Sequence, residues 1–367
     1  MSWVLFAILG IYIIAIMVLI YGFTKVKTFE HANLKPKTSF TIIVPFRNEI
    51  DNLPNLLQSF SKLNYPNDLF EVILVDDNSH ERIFVSSFRF QVSVMDNIRV
   101  SNSPKKDAIS TAMKHVKTSW VITTDADCLV PENWLLTFDN YIQQNNISML
   151  AGAVTYQCED LFLHDFQQLD LMSLQGATIG SFGIEKAFMC NGANFAYRKE
   201  LFESLNGFEG NDKIASGDDV FLLQKAANLF PDKVHYLKAK EAIVVTKPTE
   251  NWKSLFHQRV RWAAKTSSYQ SNFGKVLGLI VFFGNLNFII GFFFFGFGLL
   301  NWQLLVFFIA LKFTIDCGLL FMTNEFLTKK NIRSLFLSSL LYPFFSTTVA
   351  LYSLFGSYEW KDRRFGK

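Results

Sequence analysis

The stretch VITTDADCLV, residues 121–130, decides how the chain is to be read. An apolar run ends at Thr124, and Asp125 and Asp127 follow one residue apart. Like charges held this close each disfavour ionisation of the other, so the pair calls for a cation, a proton or water between them. About one D-x-D is expected by chance in a chain this long, so the meaning of the pair rests on its surroundings.

Those surroundings repeat the layout. VILVDDNS, residues 72–79, places Asp76 and Asp77 at the end of another apolar run. Further short runs are FTIIVP (40–45), WVITT (120–124), SMLAGAV (148–154) and FMCNGANFAY (188–197). They are continuous and rich in Val and Ile more than alternating, as expected of strands buried on both faces of a sheet. Helical stretches at 51–63, 106–116 and 132–143 separate several of them. Strand and helix in alternation predict an α/β domain with a mainly parallel sheet and right-handed crossovers. In such sheets ligands bind outside the carboxyl ends of the strands, so both acidic clusters are expected to face one site.

Half of the 367 residues are hydrophobic and 40 are Phe, which points to a membrane. Residues 3–23 form a charge-free apolar run long enough for a bilayer core that needs roughly 20 helical residues. It lacks a basic leading region and a small-residue cleavage site, so it reads as an anchor and not a removed signal. Three more candidate spans lie at 277–300, 302–322 and 336–356. Four crossings with a cytoplasmic catalytic domain would leave the basic tail WKDRRFGK on the unfavoured side. Pro343 could then mark a re-entrant segment, or another candidate does not cross. Lys312 and Asp316, within the third, have the i, i+4 spacing of a pair on one helix face and read as a structural ion pair or an interfacial helix.

The organisation expected is therefore an anchor at 1–23, a linker at 24–38, a catalytic domain at 39–245, an amphipathic interfacial segment at 246–276, a membrane region at 277–356 and a basic tail at 357–367. A net charge of +3 is too small to argue for a nucleic-acid partner. Cys128, Cys158, Cys190 and Cys317 show neither zinc-ligand spacing nor a disulfide framework and read as reduced, buried thiols.

Several residues carry candidate chemistry. Asp125 and Asp127 suit Mg²⁺ or Mn²⁺, which is typically held by one or two carboxylates plus phosphate oxygens. Asp77 can accept hydrogen bonds from a base or ribose, or cap a turn. ASGDDVFLLQKA, residues 215–226, holds Asp218 and Asp219 at a helix start, where they read as capping residues after Gly217 or as a base within reach of an acceptor hydroxyl. In WKSLFHQRVRWAAK, residues 252–265, Arg259 and Arg261 read as an interfacial basic face or as a phosphate grip, since the planar guanidinium binds two oxygens at once. Trp262 offers a flat surface for a sugar or lipid.

With these residues in order, the chain resembles a membrane-anchored inverting glycosyltransferase of family two, with the GT-A fold, over roughly residues 39–262. IIVPFRNE (42–49) resembles the family's opening strand and turn, VDDNS its nucleoside-binding turn and DAD its metal-binding D-x-D. Asp218 and Asp219 stand where the family has its E-D pair, and QRVRW, Gln258 to Trp262, fits Q-x-x-R-W. The resemblance implies that Asp77 contacts uracil with Asp76 supporting the turn. It implies that Asp125 and Asp127 hold the donor diphosphate and its metal, and that Asp219 deprotonates the acceptor. Gln258, Arg261 and Trp262 would close over diphosphate and acceptor. PKKDAI (104–109) is similar to the family's GKKxAL, which makes Lys105 a diphosphate residue, and GANFAYRKELFESLNGF (192–208) resembles its acceptor-side loop. Pro104 departs from the family's Gly, and Asp218 from its Glu.

The function so implied is sugar transfer from a nucleoside diphosphate sugar, UDP-linked, to a lipid acceptor at the cytoplasmic face of a cell membrane. The alternatives are a processive polysaccharide synthase of the same family, a haloacid-dehalogenase-like phosphohydrolase with Asp125 as nucleophile, and a membrane scaffold or transporter with no catalysis. The phosphohydrolase pattern wants Thr or Val where Leu129 stands and gives VDDNS and QRVRW no role.

Overall fold

The structure is a computed structural model that describes residues 2–30, 32, 34–83, 88–211, 214, 216–361 and 363–365. The chain opens with helix α1 (Ser2–Lys25), then strand β1 (Phe40–Phe46), α2 (Leu53–Ser61), β2 (Phe70–Asp76), β3 (Gln91–Asp96) and α3 (Pro104–Met113). It continues through β4 (Trp120–Thr123), α4 (Trp134–Gln144), β5 (Met149–Gly152), β6 (Val154–Tyr156) and the long α5 (Phe162–Gly183). Next come β7 (Phe195–Arg198), α6 (Lys199–Ser204), α7 (Asp218–Leu229), β8 (Val234–Leu237) and β9 (Val244–Thr246). The last elements are α8 (Trp252–Ala264), α9 (Asn272–Gly296), α10 (Trp302–Leu327), α11 (Leu335–Phe355) and the short pair β10 (Tyr358–Trp360) and β11 (Arg363–Phe365).

These elements form two compact units. Lys27–Gln157 with Ala187–Lys247 makes a sheet unit, and Met1–Val26, Cys158–Lys186 and Pro248–Lys367 make a helical unit.

In the sheet unit seven strands run in the order β3-β2-β1-β4-β7-β5-β8. All neighbours are parallel except β7, which is antiparallel to both β4 and β5. β1 and β4 are buried almost residue for residue, which is why they read as continuous apolar runs. Leu53, Leu56, Leu57 and Phe60 line the buried stripe of α2 at helical spacing. Pro104 takes one of the first two positions of α3, where the missing N–H costs nothing, and this accounts for Pro in place of the family's Gly.

Two expected strands are shorter than the apolar runs suggest. FMCNGANFAY is strand only from Phe195, and SMLAGAV breaks at Ala153 into β5 and β6, the latter pairing with β9. Asn194 is the reason. Its Nδ2 donates to Ala153 O at 2.8 Å and Ala242 O at 2.7 Å, drawing the chain out of the large sheet. Gly152 permits this, since a Cβ there would lie 2.4 Å from Asn194 Nδ2. The polar linker is also pinned: Asn140 Oδ1 accepts from Ala32 N and Leu34 N, and Asp139 Oδ1 from Thr38 N.

In the helical unit α1, α9, α10 and α11 are long and apolar enough to cross a membrane. Cys158–Lys186 lies inside the stretch read from sequence as one catalytic domain, yet it packs here. Helix α5 meets α1 through Gly22, Gly180 and Gly183, with backbone against backbone. Small residues allow such a crossing in an apolar medium. Lys312 Nζ donates to Asp316 Oδ2 at 2.7 Å, and Tyr12 Oη of α1 donates to Asp316 Oδ1 at 2.6 Å. The pair within α10 thereby includes α1, which is a packed member of the unit.

Candidate active site

The site is built at the carboxyl ends of β1, β2 and β4. At the end of β2, Asp76 Oδ1 accepts from Ser79 N at 2.9 Å and Ser79 Oγ at 2.6 Å, closing the VDDNS turn around Asn78 with φ +61°. Asp76 is thus a turn former. Asp77 is 5 % exposed, and its Oδ1 accepts from Asn97 Nδ2 at 2.7 Å with Arg99 Nη1 3.6 Å away. Arg47 Nη1 donates to the carbonyls of Asp77 and Asn78 at 2.9 and 2.6 Å and ties the RNE turn to this one.

Asn97 extends the network to α3, since its Nδ2 also donates to Pro104 O at 3.0 Å. Asp107, in the first turn of α3, accepts from Arg99 Nε, Val100 N, Ser101 N and Ser101 Oγ and so fixes the loop before the helix. Lys105 is next to Pro104. Its Nζ donates to Asp125 Oδ1 at 2.6 Å and lies 3.5 Å from Asp218 Oδ2. Burial works against the ammonium, but the charges of Asp125, Asp218 and Asp219 more than offset it and raise its pKa above the usual 10.5. Lys105 therefore stays charged at neutral pH.

A short relay joins β4 to α7. Thr123 Oγ1 donates to Gly192 O at 2.7 Å, and Gly192 N donates to Asp219 Oδ2 at 2.9 Å. Asp219 Oδ1 accepts from Val220 N at 2.7 Å. The capping reading of these acids is corrected: Gly217, in the left-handed region at φ +84°, takes the N-cap, and Asp218 and Asp219 occupy the first turn, where the helix dipole favours negative charge. Asp218 is buried and Asp219 half-buried, so the latter is the more accessible of the two carboxylates. Gly192 lies close against this cluster. A Cβ would stand 3.1 Å from Asp218 Oδ2 and 3.2 Å from Lys105 Nζ.

The structure thus brings Lys105, Asp125, Asp218 and Asp219 together, with Asp77 linked through Asn97. Asp127 is half-buried two residues beyond Asp125, with Cys128 Sγ 3.8 Å from its Oδ1. Burial and then the charges of Asp127 and Asp125 push the Cys128 thiol up, keeping it protonated. Among the described residues no three His, Cys, Asp or Glu side chains are grouped as a complete metal cage. Two carboxylates are the share a protein contributes when phosphate oxygens supply the rest, so Asp125 and Asp127 fit Mg²⁺ or Mn²⁺.

Nothing in the sequence singles out Arg47, Asn97, Arg99, Thr123 or Tyr197 for this site. Tyr197, on β7, is buried, and its hydroxyl has no hydrogen-bond partner among the described residues. Burial, followed by the charge of Asp218, raises its pKa against the opposing pull of Lys105, which marks it as a neighbour of the cluster.

Gln258, Arg261 and Trp262 lie on α8 in the helical unit. There Arg259 is buried on the face with Leu255 and Val260, and its Nε donates to Asp170 of α5. The expectation that Arg259 grips a phosphate is corrected by this buried pairing.

The model of the family described as "Glycosyl transferase family 2" matches residues 41–205, a span that includes Asp76, Asp77, Lys105, Asp125 and Asp127. The chain is 26% identical over 377 residues to the probable glycosyltransferase YdaM of Bacillus subtilis, covering 91% of this chain and 88% of that one. Against the glycosyltransferase AglE of Haloferax volcanii the identity is 21% over 194 residues, 51% of this chain and 61% of that one. Among solved structures, the mannosyltransferase PcManGT from Pyrobaculum calidifontis, in complex with GDP-Man and Mn²⁺, superposes with a TM-score of 0.56 at 16% identity, over 95% of this chain and 97% of that one. The phosphohydrolase and non-enzymatic readings are thereby set aside. The ordered acidic turns, the mainly parallel sheet and these likenesses make the chain a glycosyltransferase with the GT-A fold whose residues 41–205 match the family 2 model.

Proposed function

We propose that this protein transfers a sugar, with inversion, from a nucleoside diphosphate sugar to a lipid acceptor at the cytoplasmic face of a membrane. The observation that carries the reading is Lys105 held between Asp125 and Asp218, with Asp219 fixed beside them by Gly192. This is one cluster with a cation for phosphate, carboxylates for a metal and a base for a hydroxyl. Asp77 is assigned to the nucleobase, which we take to be uracil, and Asp76 to its turn. The GDP-Man held by PcManGT puts GDP-linked donors in the same test.

Mg²⁺ or Mn²⁺ bound by Asp125 and Asp127 would supply Lewis acidity to the leaving diphosphate. Lys105 contributes a fixed positive charge to the same group. Asp219 takes the proton of the acceptor hydroxyl as that oxygen attacks the anomeric carbon from the face opposite the leaving group. One displacement of this kind inverts the centre without a covalent sugar intermediate. Gln258, Arg261 and Trp262 are assigned to the diphosphate and acceptor, as their likeness to the family motif implies. Four helices apolar enough to span a bilayer support an acceptor that resides in the membrane.

The experiment is to incubate membranes containing the protein with UDP- and GDP-linked sugars and Mn²⁺, then to extract the lipids for mass spectrometry. The expected product is a lipid carrying one added sugar, lost on chelation with EDTA and restored by Mn²⁺. Polymers of increasing length would replace this reading with the processive synthase, and full activity in EDTA would remove the metal role of Asp125 and Asp127. Lys105→Met is expected to weaken UDP or GDP binding about 10- to 100-fold, the range for one lost charge-assisted hydrogen bond. Titration calorimetry of the purified variant checks this, and unchanged affinity would take Lys105 out of the donor site.

A further inference from the structure

Arg259 is the variable residue after Gln258 in the Q-x-x-R-W motif, and its surroundings are specific. Its Nε donates to Asp170 Oδ2, and both side chains are 5% exposed. Its Nη1 donates to Gln258 Oε1. Its guanidinium carbon lies 4.2 Å from the centre of the Trp262 ring. Tyr342 of α11 also lies beside Asp170, so a third helix borders the carboxylate. One guanidinium therefore joins a buried carboxylate to two of the three side chains by which the motif is recognised.

We propose that Arg259 and Asp170 are positioning residues for the reaction: the buried pair sets the rotamers of Gln258 and Trp262 and so prepares them for the donor. The inference rests on the assignment of Gln258 and Trp262 to the donor and acceptor made above. The chemistry selects arginine. A planar fork can hold carboxylate and amide oxygens in its plane while presenting a face to indole, whereas an ammonium is a point charge without a stacking face. Asp170 is equally specific, because a guanidinium this deeply buried needs a paired negative charge. Asp170 and Arg259 are 89 residues apart, so the pairing is a product of the α5–α8 packing and not of local sequence.

The test uses the full-length protein in detergent with Arg259→Lys, Asp170→Asn and Gln258→Ala. UDP and GDP are each titrated in the presence of Mn²⁺. The fluorescence of Trp262 is isolated as the difference between each protein and the same protein carrying Trp262→Phe. Arg259→Lys is expected to raise the nucleotide Kd or donor KM about tenfold with kcat changed less, and to shift the Trp262 difference spectrum. Asp170→Asn is expected to move the same two readouts in the same direction.

Folded Arg259→Lys with the wild-type Kd, KM and Trp262 spectrum would overturn the proposal, whatever its melting temperature. If that variant does not fold, Asp170→Asn decides by the same criteria. Gln258→Ala separates the two levels of inference. Should it bind nucleotide and turn over as the wild type does, the assignment of the motif to the donor fails. Should it lose affinity while both pair variants keep theirs, only the positioning role fails.

Discussion

Asp219→Asn is expected to lower the turnover number about 10³-fold while leaving the nucleoside diphosphate affinity within roughly threefold of wild type. The substitution is nearly isosteric but removes the proton acceptor proposed for the attacking hydroxyl. Two backbone N–H groups, from Gly192 and Val220, hold the carboxylate in place in the native protein. They fix its orientation beside Lys105, Asp125 and Asp218, which suits the role of base proposed for it. An Asn amide can keep its carbonyl toward one of those donors only. A modest local loosening is therefore expected beside the large catalytic loss. Single-turnover measurements with saturating donor separate the two effects, since loosening alone would appear in binding. Turnover near the wild-type rate in correctly folded Asp219→Asn would exclude this residue as the base. The neighbouring Asp218 would then be examined, because it is the other first-turn acid of α7.

The second large effect is structural. Gly183→Val is expected to cost the protein several kcal/mol, in the range where backbone strain and overpacking produce exceptional losses. A Cβ at Gly183 would lie 1.8 Å from Gly22 O, and one at Gly180 would lie 2.4 Å from Leu19 O. Both obstacles are backbone atoms, so no rotamer change relieves the clash and the two helices would have to separate. Separation would strip contacts from α1, whose Tyr12 hydroxyl also completes the Lys312–Asp316 cluster. Gly10→Ala is the control, since nothing lies within 4 Å of a Cβ there. Melting of the detergent-solubilised proteins, followed by size exclusion, should show Gly10→Ala unchanged and Gly183→Val aggregated or strongly destabilised. A monodisperse Gly183→Val protein with the wild-type midpoint would show that α1 is only a tether.

Much of the candidate site is legible in the sequence, for a physical reason. Strands buried on both faces must be apolar throughout, so the chain announces where they end, and an acid directly after such a run either closes the turn, as Asp76 does, or faces a ligand. Asp76, Asp77, Asp125 and Asp127 become candidates on this ground, and the order of the motifs adds Lys105, Asp219 and the α8 residues as further candidates. The edge strand β3 gave no such signal, because it is exposed or half-buried along its whole length and admits Gln91, Ser93 and Asp96. Arg47, Asn97, Arg99 and Thr123 were equally silent, since each acquires its role from a partner 8 to 69 residues away.

The sequence by itself determined the class of protein: an α/β catalytic domain with acids at its strand ends, and apolar helices on either side of it. Those features depend on what each residue costs to bury, which is a local property of composition and order. Only the tertiary structure decided that Cys158–Lys186 joins the helices, that Arg259 turns inward to Asp170, and that Asp77 is buried beside Asn97 and Arg99. These outcomes depend on which surfaces meet. Close helix crossings and buried ion pairs gain their energy from partners that are distant along the chain and adjacent only after folding.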